Sequence, residues 1–323
     1  MWGRTKGLYA GMLLILVALV SAGCAAGPRL GGEEAEASPT VPSSTHPYRS
    51  PQDATSQRVT PTPAPVPGQP ELSVPVLPSA VDHGIVEGAD VSWPNCPKGM
   101  GIKQRPSEGQ PMPLPSAQFA VLGLTNGPAF HPNPCLASQV AWVKQRHLRA
   151  AAYSVISYPT AATEVDHGAA GPGDPSTHVG RLTNVGYGQA KYNLDTMQDA
   201  GLTTPTIWID VEPVTIWEWS HDPAANAAVV KGAVQAYREA GYQVGVYSLG
   251  SMWKRIVGDL ELGLPEWRPA GESSRAGALK RCTGKWMFQN GAAVLVQWVD
   301  GHRDRNVTCP GQSVYLQLWF HQY

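Results

Sequence analysis

The 323-residue chain has almost no net charge, −1 at pH 7 from 24 basic and 25 acidic side chains. Without a basic field or a lysine- or arginine-rich run, nothing in it argues for nucleic acid. No Gly-x-Gly-x-x-Gly or phosphate loop follows the first strand-like segment, which removes the main nucleotide-binding alternative. No Gly-x-Ser-x-Gly elbow is present for a Ser-His-Asp hydrolase. Cys-x-x-Cys pairs are missing, and His131, His167, His178 and His221 show no metal-ligand spacing. No metal and no cofactor is therefore expected.

What is present at the N-terminus reads as an export signal. Arg4 and Lys6 precede an apolar core, residues 8–20, too short to span a bilayer stably. The sequence Val20-Ser21-Ala22-Gly23-Cys24 resembles a bacterial lipobox, with Ser21 where leucine is usual. Lipidation of Cys24 is expected, with simple secretion as the alternative, and acylation there would anchor the chain. Residues 25–83 are rich in Pro, Ser, Thr and Ala and favour solvated, extended backbone. The expected organisation is a signal with lipobox at 1–24, a disordered tether at 25–83 and one folded domain at 84–323. The expected location is the outer face of the cytoplasmic membrane or the envelope. An even count of four remaining cysteines in an oxidising compartment suggests two disulfides, and three pairings are open. The preferred one joins Cys96 to Cys135 and Cys282 to Cys309, because each pair falls in loops expected to be neighbours.

Within 84–323, strand-like runs alternate with helix-like ones. Strands are expected at 84–93, 118–126, 149–158, 206–212, 244–248, 265–269 and 293–299. Helices are expected at 136–147, 181–200, 223–240, 252–260 and 273–282, with Gly201 and Gly241 as stop signals and Pro223 in a first turn. The tail, 314–323, fits helix or strand. Alternation at this spacing predicts a parallel sheet, and the length predicts a single α/β domain closed as a (β/α) TIM-like barrel.

The densest chemistry lies in Thr206-Ile207-Trp208-Ile209-Asp210-Val211-Glu212-Pro213. Alternation along a strand puts Trp208, Asp210 and Glu212 on one face. Two carboxylates crowded at the end of an apolar strand repel each other and lose hydration, an arrangement usually kept because the pair works together. Asp90, in Gly88-Ala89-Asp90-Val91-Ser92-Trp93, ends the first strand, so a barrel brings it to the same mouth. Three acids beside aromatic side chains suit glycosidic bond cleavage, one carboxyl protonating the leaving oxygen and another stabilising or attacking the anomeric carbon. Trp208 and Trp217 flank the carboxylates as sugar-stacking candidates.

Gly88-Ala89-Asp90-Val91-Ser92 and Trp208-Ile209-Asp210-Val211-Glu212 resemble the G-x-D-V-S and Asp-x-Glu strands of glycoside hydrolase family 25, the lysozyme-like N-acetylmuramidases. Residues 119–127, Val246-Tyr247-Ser248, Gln297-Trp298 and Asp304-Arg305-Asn306 echo later segments of that family in the same order. The resemblance implies a flattened barrel that cuts between N-acetylmuramic acid and N-acetylglucosamine without metal. It implies Glu212 as general acid/base, Asp210 as stabiliser or substrate orienter, and Asp90 completing the site, with Tyr247 and Gln297 among substrate contacts. The chain departs from the family at Thr125-Asn126-Gly127, where an acidic residue is common in the middle position. It departs again along residues 153–158 and in the long segment 159–180.

The leading expectation is an enzyme, an envelope-anchored monomeric glycoside hydrolase acting on cell-wall polysaccharide, with membrane contact only through Cys24. A catalytically silent glycan-binding lipoprotein on the same barrel is the alternative, and a structural protein whose acids are ion pairs is the third. An arginine seated between Asp210 and Glu212 would favour the third. Asp304, between Arg303 and Arg305, reads as a loop ion pair.

Overall fold

The computed structural model describes residues 82–214 and 216–323. The signal, the lipobox with Cys24 and nearly all of the tether lie outside the described residues. Eight strands close a barrel: β1 (Glu87–Val91), β2 (Phe119–Gly123), β3 (Arg149–Val155), β4 (Thr206–Asp210), β5 (Gln243–Tyr247), β6 (Glu266–Glu272), β7 (Ala293–Asp300) and β8 (Arg303–Thr308). Strands β1 to β7 run parallel in chain order. Strand β8 is antiparallel to both β7 and β1 and seals the ring. The fold is the expected α/β barrel, with one reversed strand.

The reversed strand is the main departure from the sequence reading. Its residues, Arg-Asp-Arg-Asn-Val-Thr, contain one large apolar side chain and read as a loop. It forms because β7 turns back through Gly301 and His302, both at positive φ, and completes hydrogen bonding for two strands that would otherwise be edges.

Helices α1 (Leu136–Gln145), α3 (His178–Asp199), α4 (Pro223–Glu239) and α5 (Gly250–Val257) lie close to the expected positions. Helix α3 begins three residues early because the Thr177 side chain accepts from Gly180 N. Helix α4 starts as read: the Asp222 side chain accepts from Ala224 N and Ala225 N, and Pro223 follows. A short α2 (Ala161–His167) was not expected, although the Thr160 side chain accepts from Thr163 N as its cap. Helix α6 (Arg275–Leu279) and α7 (Leu316–Trp319) are one-turn pieces.

Strand periodicity divides the core. Ile207, Ile209, Val211, Val244 and Val246 face outward and pack with Leu182, Val229, Val230 and Tyr237 of α3 and α4. Phe119, Val121, Ala151, Trp208, Trp267 and Leu295 fill the barrel interior with Trp319 and Phe320. The tail is therefore both helix and strand: α7 delivers these two rings to the N-terminal end of the barrel, and β9 (His321–Gln322) pairs with the start of β3. The bulky interior requires glycine opposite it. A Cβ on Gly245 would stand 2.2 Å from the Trp208 ring.

Both expected disulfides form. Cys96–Cys135 ties the β1–β2 connection to the start of α1. Cys282–Cys309 ties the segment after α6 to the end of β8.

Candidate active site

The C-terminal ends of the parallel strands carry the candidate site. Asp90 points inward from β1 and is buried. Its Oδ1 accepts from Gln297 Nε2 at 2.9 Å and from Asn306 Nδ2 at 2.6 Å. Each amide is itself held. Tyr247 Oη donates to Gln297 Oε1 at 2.8 Å, and Trp267 Nε1 donates to Asn306 Oδ1 at 2.7 Å. Five strands thus fix one carboxylate. Burial, with the charge of Asp304, still holds Asp90 well above the usual carboxylate range against these hydrogen bonds.

Asp210 ends β4, is 4 % exposed and leaves its Oδ1 without a partner. Burial pushes its carboxyl well up, helped by the charges of Glu212 and Asp90 and opposed by Arg105. A protonated carboxyl suits such a position, because an ionised oxygen buried without a donor is costly.

Glu212 lies two residues on, past the end of the strand and only partly buried. Its backbone is pinned, since Trp219 Nε1 donates to Glu212 O at 2.9 Å and Ser248 Oγ donates to Val211 O at 2.7 Å. Burial raises the Glu212 carboxyl to about 7; Arg105 opposes the rise and Asp304 adds to it. A carboxyl that keeps its proton near neutral pH and still meets solvent has the properties of a general acid.

Asp304 is the residue that sequence reasoning missed. Its reading as a loop ion pair is corrected by β8: alternation turns Arg303 and Arg305 outward and Asp304 inward with Asn306. Arg305 pairs instead with Asp300 at 3.0 Å and Glu87 at 3.3 Å, and Arg303 Nε donates to Met112 O. Burial raises Asp304 to about 6. The missed signal was the alternation of Arg-Asp-Arg-Asn itself, read with period two.

The tryptophan expectations divide. Trp208 is fully buried, 6.1 Å from Trp267 and 6.2 Å from Trp319 between ring centroids, so it offers no face to a sugar. That expectation is corrected: the same alternation that aims Asp210 at the mouth sinks Trp208 one layer deeper. Trp217 is half-buried on the rim and lines a cavity of about 240 Å³ with Phe130, His131, Tyr158 and His167. Phe130 stands there at φ 60°, an uncommon conformation for a bulky residue, with its ring stacked 4.0 Å from His167. Tyr247 and Gln297, expected to touch substrate, form the support of Asp90.

Among the described residues, one cation acts on Asp210 and Glu212. Arg105, from the β1–β2 connection, lies over the Trp93 ring at 4.8 Å, and its charge is felt by Glu212 and Asp210. Among the described residues it makes no ion pair with either.

Residues 178–267, from α3 into β6, match the family model described as "Lysozyme-like protein 1". The chain is 37% identical over 70 residues to lysozyme-like protein 5 of Caenorhabditis elegans, covering 22% of this chain and 31% of the relative. It is 33% identical over 63 residues to a probable GH family 25 lysozyme 4 of Dictyostelium discoideum, covering 19% and 28%. The matches thus span less than a third of either relative. Among solved structures, a bacterial lysozyme from Streptomyces coelicolor superposes with a TM-score of 0.48 at 14% identity, over 73% of this chain and 99% of the other. A family GH25 lysozyme from Aspergillus fumigatus gives 0.45 at 16% identity, over 72% and 99%.

Proposed function

We propose that this chain, which carries a lysozyme-like domain of the glycoside hydrolase family 25 type, cuts peptidoglycan-type glycan by carboxylate acid/base catalysis. Glu212 donates the proton to the leaving oxygen, and its carboxylate then activates water or stabilises the sugar cation. Asp210, buried and with its carboxyl held well above the usual range, orients the substrate's acetamido group when it carries its proton or stabilises the developing charge when ionised. Asp90, clamped by two amides, completes the acidic wall, and Asp304 joins it. Trp217 offers the rim a stacking face.

The observation that carries this reading is the convergence of Asp90, Asp210 and Glu212 at one mouth of the barrel, with Glu212 raised to about 7. Lipid anchoring at Cys24, a tether over residues 25–83 and a monomeric domain at the envelope belong to the same proposal. They place the barrel within reach of a wall polymer.

The test is release of reducing ends from purified peptidoglycan by the full chain. Release is expected, with an alkaline limb near pH 7 as the general acid deprotonates, and Glu212→Gln should abolish it. No release by wild type would overturn the hydrolase reading. A second reading, a glycan-binding lipoprotein without turnover, is favoured by one observation: the Arg105 charge opposes retention of the Glu212 proton. Retention of glycan without release would select it.

A further inference from the structure

The end of the barrel opposite the acids has a different make-up. Cys309, just past β8, donates its N–H to Val294 O at the start of β7, and the Cys282–Cys309 disulfide draws the segment after α6 to that end. Phe288 N and Gln289 N donate to Glu266 Oε1 at the start of β6 and fasten the other side of the segment. Residues 82–86 lie at this end too, since Ser313 Oγ donates to Asp82 Oδ1 and Thr308 N to Val86 O.

Between these fastenings the surface is basic and apolar at once. Residues 273–299 contain no acid. Lys280 and Lys285 are exposed and Arg281 is half-buried; among the described residues none of the three makes an ion pair. The Arg281 guanidinium lies over the Trp286 ring at 3.4 Å, with Lys285 Nζ at 5.9 Å. Despite that cover Trp286 is 39 % exposed, and Met287 beside it is 49 % exposed. Tyr315, which ends the short helical turn Gln312–Tyr315 at the same end, is exposed as well.

Exposed large apolar side chains gathered in one region mark a contact surface, and the cations beside them say what kind. Tryptophan and methionine tips settle at the headgroup level of a bilayer, where lysine and arginine meet the lipid phosphates. A soluble polyanion would use the cations and leave the apolar tips wet. We propose that this end of the barrel is a contact surface for anionic phospholipid, which turns the mouth carrying Asp90, Asp210 and Glu212 away from the bilayer. An acyl chain at Cys24 would tether the protein without orienting the domain, and the basic end supplies the orientation. Such contact is independent of glycan turnover and holds for a silent barrel as well as for a hydrolase.

The experiment is amide hydrogen exchange on the full chain with vesicles of phosphatidylcholine alone or with about a third phosphatidylglycerol. Each cation at an anionic surface is worth about fivefold in affinity, so the three together supply about a hundredfold. Exchange over residues 280–288 should slow about tenfold or more on the anionic vesicles and little on the neutral ones. Residues 210–219, at the mouth, should keep their rate. Lys280→Gln combined with Lys285→Gln changes two exposed side chains and should remove most of the slowing at an unchanged melting temperature. Equal exchange on the two kinds of vesicle, or slowing that survives the double substitution, overturns the inference. So does equal slowing by soluble polyphosphate without lipid, which would assign the surface to an anionic wall polymer. Absence of reducing-end release leaves all these outcomes untouched, so the hydrolase reading and the membrane surface fall separately.

Discussion

Replacing Glu212 by glutamine should make the protein inactive and, above neutral pH, more stable. The carboxyl titrates at about 7 in the folded chain against an ordinary 4.5, chiefly because burial penalises its charge. The folded state therefore binds the proton more tightly than the unfolded chain. Stability from this group is fully present below the unfolded pKa and is lost as pH rises through the folded value. At about 1.4 kcal/mol per pH unit, the gap corresponds to roughly 3 kcal/mol, or about 2–3 after allowing for partial exposure. Glutamine has the carboxyl's shape and no charge, so the variant escapes the loss. Melting temperatures of the two proteins should coincide near pH 4 and separate at pH 8, the variant being higher by about 5–10 °C for a domain of this size. Calorimetry at pH 4, 6 and 8 measures the separation directly. A variant that melts at or below wild type at pH 8 would refute the reasoning. Glu212 would then be an ordinary solvated carboxylate with no proton to give at neutral pH.

Two further outcomes follow from the site's supports. Asn306→Ala removes one clamp from Asp90 and leaves Trp267 Nε1 without its acceptor. Release of reducing ends should fall by about ten- to a hundredfold, with a destabilisation of about 1–3 kcal/mol in urea unfolding. Removing Cys282–Cys309, which spans 27 residues, should cost about 3–4 kcal/mol by loop-closure entropy. A smaller loss in thermal unfolding would mean that the unfolded chain is already compact there.

The barrel and its principal acids were legible because they rest on strong local signals. Apolar strands alternate with capped helices, and period-two alternation forces Asp210 and Glu212 to one side. The partners of the disulfides were also readable from loop order. Less legible was anything that depends on ring closure. The first four residues of strand β8 are polar on both faces, one carrying the Arg303 and Arg305 contacts and the other facing the acids, and Val307 alone makes no hydrophobic pattern. Trp208 was misplaced for a related reason. Alternation gives the face of a side chain but not its depth along the barrel axis, and one layer separates a sugar platform from a packing residue. Asn126 looked like a lost acid, while its hydrogen bonds with Ile102 N and Arg105 O make it a fastening of the β1–β2 connection that only the tertiary structure reveals.

The reversed strand also governs when this molecule becomes competent. Asp90 waits for Gln297 and Asn306, 207 and 216 positions further along, so a chain still being synthesised has its first acid made and nothing to steady it. Until the hoop shuts, the acids cannot reach their working arrangement. Any activity that depends on a steadied Asp90 is thereby withheld until the last strand is in place.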